Sequence, residues 1–467
     1  MHTPRSLFLI TLSMGAATVA AQTWTQQNPA PFPNTLQRRA GGIAWHPLAG
    51  GLVMYGGLQA GPTLTLNDTW LWDGGTWTQL TTTTTPPPRW GHHMVYDSRR
   101  GRIVAFGGRS PTTTTVANDT WEFDGVDWQQ VFPLASPSAR AFYGMAYDER
   151  RGKTIVFGTQ SGTGAAGQQT WEYDGTTWTQ AITATVPPGV ESPAMAYDKG
   201  RGVTVMFGGF NGTPPGTDYR TTWEYDGVDW TLKATTNSPL TGYRASMCYD
   251  DLRGRLVLYG GYANAQAQQL VWEYDGNDWT QVLTGGPGRV TEGYMAWLPT
   301  TLETLYFGGS GPTIAGVGNN ETWLYSGAYT AIAAPYGHGC PTSAGIPALA
   351  ATTTPVLGTI YQLTLTGAPA VSIGLVVHGL DNLQFAPGIA LPLDLGIAGI
   401  AGCGLEVRPD ATIVELPAGG TFTHLFPVPN DLLLTGTGLF TQALVIDSAA
   451  PNGFAGMSNA VHAVLGL

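Results

Sequence analysis

His92-His93, the neighbours Cys248-Tyr249 and a set of arginines standing beside aromatics are the residues whose types could carry chemistry in this chain. Paired histidines can hold a metal, but successive side chains of an extended strand leave on opposite faces, so these two do not converge on one ion. Between residues 22 and 333 the one other histidine is His46. No Ser/His/Asp set, phosphate-cradling glycine loop or zinc-type spacing is present. The two placed carboxylates that glycosidases generally need are not marked by any motif either. The expectation is therefore no catalytic residue, no metal and no cofactor. What remains is recognition chemistry. Arg38, Arg39, Arg89, Trp90, Arg140, Phe142, Glu191, Tyr243, Arg244, Arg289 and Tyr294 combine guanidinium groups with aromatic planes, the side chains that anchor interfaces and stack on sugar rings.

The elements that must position them form a repeat. Thr-Trp-Glu-Tyr-Asp-Gly-x-x-Trp recurs with small changes, its first tryptophans falling at 70, 121, 171, 223, 272 and 323, a period near 50. Val271 takes the place of the threonine in the fifth copy, and the sixth has lost its second tryptophan. Each unit reads as four strands. In the second, strand a covers 89–97 and strand b covers 102–108, stopped by Gly107-Gly108. Strand c covers 120–124, and Asp124-Gly125 turns the chain into strand d at 128–131. Asp-Gly between apolar runs favours a tight hairpin, because glycine accepts the positive φ of such turns. Strands b are apolar throughout, as expected where both faces of a blade are covered. A strand unit repeated at this period is the signature of a radial β-repeat.

With its Gly-Gly stop, its Asn-Asp-Thr-Trp lead into strand c and its second tryptophan seven residues on, the unit resembles the Kelch repeat over about residues 22–333. The resemblance implies a six-bladed β-propeller. Copper-radical oxidases built on this repeat need a Cys-linked tyrosine with further tyrosine and histidine ligands, and no histidine cluster accompanies Cys248-Tyr249. Thr23-Trp24-Thr25-Gln26 copies the d strands at 76–79 and 177–180, so it is expected to supply the missing fourth strand of the sixth unit and close the ring. Glu122, Glu172, Glu224 and Glu273 are expected to pair across the b–c hairpins, with Arg102, Lys153 and Arg255 opposite the first, second and fourth of them.

Composition bounds the rest. A net charge of -11 and 11% charged residues disfavour nucleic acid as a partner. Residues 1–21, with Arg5, an apolar stretch over 7–19 and a small-residue end at Val19-Ala20-Ala21, read as a signal peptide cleaved after Ala21. Secretion permits a disulfide, and Cys340 and Cys403 are the expected pair, leaving Cys248 as a buried thiol. Residues 334–467, with alternating apolar runs bounded by proline and glycine, read as a β-sandwich. No run is long and apolar enough to span a membrane. The whole reads as an all-β, secreted or envelope-localised monomer.

Topology then selects a face. The a–b and c–d turns are short, so length gathers in the b–c and d–a loops on one side of the disc. The arginines and aromatics named above are expected to ring the channel mouth there as a mostly basic site for a protein or glycan, its charge suited to an acidic glycan or a carboxylate, with Arg89, Arg140 and Arg244 in contact with it. Alternatives are an extracellular carbohydrate-active enzyme and a passive matrix component.

Overall fold

The computed structural model describes residues 22–464 apart from 28–36, 60–63, 111–114, 160–164, 213–215, 252, 265, 283–285, 312–319, 327–331, 337–338, 356–358, 371, 380–383, 387–388, 391–392, 395–403, 406–410, 416–419, 428–437 and 452–454. Residues 1–21, where a signal peptide is expected, Cys403 of the expected disulfide and the tips of most b–c loops lie outside the described residues.

Six antiparallel sheets, one per repeat, form the blades of a propeller. Their inner strands a are Gly42–His46, His93–Asp97, Gly144–Asp148, Ala194–Asp198, Tyr243–Asp250 and Tyr294–Leu298. Each packs on the next, and the sixth packs on the first. Thr23–Gln27 pairs antiparallel with Thr322–Ser326, Trp24 opposite Tyr325, and so serves as strand d of blade 6. The ring is thus closed by strand pairing between the two ends of the repeat array, which leaves neither end with an open edge inside the sheet.

Repeated side chains tie the blades together. The d-strand indole of one blade donates to the c-strand threonine of the blade before it: Trp128 to Thr69, Trp178 to Thr120, Trp230 to Thr170 and Trp279 to Thr222, at 2.8–3.0 Å. Both glycines of the Gly-Gly stop take positive φ, 57° and 98° at Gly107 and Gly108. The second glycine then donates its N–H to the next blade, as Gly108 does to the Arg140 carbonyl. Thr159 makes the same bond to the Val190 carbonyl.

The four glutamates are paired, but with other bases than expected. Glu122, Glu172, Glu224 and Glu273 accept from Arg100, Arg151, Arg201 and Arg253 at 2.5–2.6 Å. These arginines sit in the a–b turn, three residues after the strand-a aspartates that they also bind. Strand register explains the correction: Glu122 lies opposite Val104, whereas Arg102 lies two residues along, near Asp124 at 3.5 Å. Each glutamate also accepts from a tyrosine of the next blade, Glu122 from Tyr173 and Glu172 from Tyr225.

Beyond the blades, Ile332–Tyr336, Ile373–Gly379, Ala411–Glu415, Gly438–Ile446 and Ala455–Val464 form one five-stranded sheet. Ala348–Ala351, Ile360–Thr366 and Phe422–Pro427 form a three-stranded one. Tyr361, Leu363, Val376, Ala443 and Val461 from both sheets share a single apolar core. His378 and His424, one from each sheet, meet in it with their Nε2 atoms 3.1 Å apart.

Candidate functional site

Where each d–a loop enters strand a, one residue per blade has left-handed backbone: Ala40, Gly91, Phe142, Ser192, Arg244 and Glu292, with φ between 50° and 67°. Five of the six are not glycine, a conformation that costs roughly 1–3 kcal/mol for such residues. The compensation is a closed circle of backbone hydrogen bonds. Gly91 donates to the Ala40 carbonyl, Phe142 to Gly91, Ser192 to Phe142, Arg244 to Ser192, Glu292 to Arg244, and Ala40 back to Glu292, at 2.5–3.1 Å. This collar surrounds one end of a central cavity of about 340 Å³, lined by the inner strands. Non-glycine strain of this kind concentrates where surrounding structure overdetermines it, often at functional sites.

The collar separates the expected site residues into two groups. Arg38, Arg89 and Arg140 fall outside the mouth and are corrected to structural residues: all three are buried. Arg38 and Arg89 make two-pronged ion pairs with Asp68 and Asp119 at 2.7–3.0 Å. Each of the three donates to the first glycine carbonyl of its own blade's stop: Gly56, Gly107 and Gly158. Burial raises the Asp119 carboxyl, but the hydrogen bond and charge of Arg89 outweigh it and hold it below the usual range. Blade 3 has Gln169 where blades 1 and 2 have Asp68 and Asp119. Arg140, with only oxygen acceptors around it, is pushed down to about 10 by burial. Tyr294 is likewise buried, its hydroxyl on the Gly56 carbonyl and its ring against Phe307. Arg289 is exposed, but its guanidinium is turned to Gln266.

The second group does meet at the mouth. Arg39 and Arg244 both bind Glu292, at 2.6 and 2.8 Å, and Arg244 also approaches Glu191 at 4.0 Å. The guanidinium of Arg244 lies over the rings of Phe142 and Tyr243. Trp90 packs edge-on against Phe142 and carries Arg109 over its own face. On the other side Tyr243 stacks on Phe210 and meets Tyr262. Burial pushes the Tyr243 hydroxyl up to about 12, so it remains a neutral donor. The mouth is therefore an arc of aromatics, Trp90–Phe142–Arg244–Tyr243–Phe210, beside a charge-balanced group of two arginines and two glutamates. The basic ring expected from sequence is not what these residues form, because three of its arginines are internal and two are matched by carboxylates.

Sequence reasoning missed the collar, Glu292, Phe210 and Tyr262. The burial of the arginines did have a signal. Arg38 and Arg89 occur in the two units with aspartate before the strand-c Thr-Trp, and the units with Val190, Gly242 and Val290 at the arginine position have no aspartate there. Cys248 is a free, buried thiol bordering the cavity. Among the described residues no three His, Cys, Asp or Glu side chains gather as a metal site would require. No described helix is long and apolar enough to cross a membrane.

Residues 42–232 match the family model described as the KLHDC2/KLHL20/DRC7 Kelch-repeats domain. No curated protein matches the chain. Among 135 matching chains of solved structures, one described as "Structure of YjhT" is 14% identical with a TM-score of 0.46, over 64% of this chain and 96% of that one.

Proposed function

The repeat region of this chain is a Kelch-repeat propeller, and on that footing we propose that it is a secreted, non-catalytic binding module whose ligand, a protein or a glycan, docks over the channel mouth. The observation that carries this reading is the aromatic arc and the Arg39–Glu292–Arg244–Glu191 group set around the strained collar. Half-exposed aromatics beside fixed guanidinium groups are the composition of binding hot spots. Residues 1–21 direct the chain out of the cytoplasm, which N-terminal sequencing of exported protein tests by locating the cleavage after Ala21. Capture from the producing cell's secretome, run beside a glycan array, tests the ligand reading. Binding that Trp90→Ala and Tyr243→Ala abolish supports it, and binding that neither touches removes the mouth from consideration.

A carbohydrate-active enzyme remains the second reading, for one reason. Glu191 and Glu292 approach the same guanidinium, which brings two carboxylates together at the mouth, and a pair of carboxylates is what glycosidases need. Against it, Arg244 fills the space between them where a scissile bond would lie. Release of reducing ends from a polysaccharide panel by wild type, lost in Glu292→Gln, would favour the enzyme.

A further inference from the structure

Of the six strands d, five follow their strand c through a tight turn inside the chain, and the sixth is Thr23–Gln27, which precedes every other strand. The ring is therefore fastened by a segment that cleavage after Ala21 turns into a chain end. Proteolysis concentrates at chain ends, and Thr23, Thr25 and Gln26 are exposed on this one. Its hold is short. Trp24 pairs with Tyr325 in the ladder and packs its ring on Tyr259 and Tyr325, with centroids 4.9 and 5.0 Å away. Gly286 leaves room for that indole, since a Cβ there would lie 2.8 Å from it. Trimming three residues from an end at Gln22 would remove Trp24 and two of the five ladder pairs.

The residue at that end is a glutamine. Gln22 is half-buried, and its Nε2 lies 3.2 Å from both carboxylate oxygens of Glu273, long contacts for a hydrogen bond to a charged acceptor. Glu273 does not depend on them, because it also accepts from Arg253 at 2.5 Å and from Tyr325 at 2.7 Å. The amide can thus leave without stranding a buried carboxylate. While residue 21 is attached, the Gln22 nitrogen is a peptide amide and no nucleophile. Cleavage converts it into an α-amine, which with a pKa of about 7.7–8.0 is partly unprotonated at neutral pH. That amine reaches the carbonyl carbon of its own side chain. The new N–Cδ bond closes a five-membered ring, the Cδ–Nε2 bond breaks, and ammonia leaves with the proton that the amine gives up. No oxidant or second substrate is needed.

Resting on the reading that residues 1–21 are removed after Ala21, we propose that Gln22 is a modification site, cyclised to pyroglutamate in the exported protein, and that the lactam guards the closing strand. A lactam has no α-amine, the group that aminopeptidases bind, so trimming cannot begin on the strand that keeps the ring shut.

The test is the mass of the exported protein, intact and as its N-terminal peptide, because a lactam end stops stepwise chemical sequencing. The expected chain begins at residue 22 and is lighter than its unmodified form by one ammonia. The same start with an intact glutamine would overturn the cyclisation and leave the cleavage reading standing. A start at any other residue would overturn both. The guarding role is tested by aminopeptidase treatment of wild type and Gln22→Asn, whose shorter side chain keeps an amide but would have to close a four-membered ring. Before treatment the two should share one circular dichroism spectrum. After it, Gln22→Asn should lose residues 22–24 and unfold at a lower urea concentration, while wild type keeps its mass and midpoint. Gln22→Ala serves instead should Gln22→Asn be processed elsewhere. Wild type and variant trimmed alike, or neither trimmed, would overturn the guarding role.

Discussion

Trp24 occupies the place of a d-strand tryptophan, but the residue awaiting its indole nitrogen is Val271, where blades 1 to 4 have threonine. Its ring packs on Tyr259 as Trp128 packs on Tyr55. Trp24 Nε1 is nevertheless buried without a partner, while Trp178 Nε1 donates to Thr120 at 3.0 Å. The joint between blades 5 and 6, where the closing strand packs, is thus the one among these in which the Trp–Thr bond is missing; between blades 6 and 1 Trp77 still donates to Thr322 at 3.0 Å. Val271→Thr should restore it and stabilise the propeller by about 0.5–1.5 kcal/mol, whereas Thr120→Val should recreate the defect and cost about 1–3 kcal/mol. Urea unfolding midpoints at unchanged slope are the measurement. A Val271→Thr midpoint at or below wild type would mean that the indole is satisfied by water.

Much of this architecture was legible because it is written six times. The Trp24 strand could be assigned by its likeness to the segment at 76–79, and the Gly-Gly stops by their need for positive φ. Side-chain partners were less legible. The expected Arg102–Glu122 pair fails since a turn residue, Arg100, reaches over the strand end, and strand alternation says nothing about turns. The collar leaves almost no trace in sequence: Ala, Gly, Phe, Ser, Arg and Glu share one backbone state only because each is bonded to the next blade. A site made by closure around an axis cannot be read from any single repeat.

Arg89 and Trp90 are neighbours with separate tasks, and substitution should separate them. Arg89→Ala leaves Asp119 and the Gly107 carbonyl without their buried donor. It should cost about 3–5 kcal/mol. Trp90→Ala, at the half-buried mouth, should cost far less and act on binding. Thermal unfolding of the two variants checks this. An Arg89→Ala protein as stable as wild type would return that arginine to the list of candidate ligand contacts.

Leu302 holds the left-handed position of the blade 6 a–b turn, φ 59°, where the other five turns have Gly50, Gly101, Gly152, Gly202 and Gly254. A left-handed non-glycine residue costs about 1–2 kcal/mol, partly offset by glycine's greater freedom when unfolded. Leu302→Gly should therefore raise stability by about 0.5–1 kcal/mol, read from the same urea midpoints. A loss instead would show that the leucine side chain contributes packing worth more than its strain.

Stability should fall on mild acidification. Burial lowers both His46 and His378 to about 4, and takes His92 well below its ordinary value. In the unfolded chain all three titrate near 6.5. Between those values the unfolded state binds protons that the folded state refuses, so the stabilisation is complete above about pH 6.5 and is lost as pH falls through about 4. Each histidine contributes about 1–2 kcal/mol to the difference between pH 7 and pH 5. In His46, Nδ1 accepts from the Ala49 amide and Nε2 donates toward the Gly101 carbonyl, an arrangement only the neutral ring can make. His46→Gln should flatten the profile by one histidine's share, measured as urea midpoint against pH. A slope equal to wild type would mean that His46 titrates normally.

Arg151 joins Asp148 and Glu172, and Glu172 in turn accepts from Tyr225 of the next blade. Blade 1 shows how the fold dispenses with this chain. Its turn has Ala49 at the arginine position, Leu71 replaces the glutamate, and the following blade presents Phe123, a tyrosine without its hydroxyl. The three positions change together because each group exists to satisfy the others. Arg151→Ala alone leaves two carboxylates facing each other in a largely buried site and should cost about 3–5 kcal/mol. Adding Glu172→Leu should recover part of that, and adding Tyr225→Phe should recover more, since the unpaired hydroxyl is then gone. The coupling between the first two changes should be about 0.5–3 kcal/mol in a double-mutant cycle of unfolding free energies. Additive losses through the series would show that the charged chain stabilises each blade in its own right, and that the apolar set of blade 1 works only where the ring is closed.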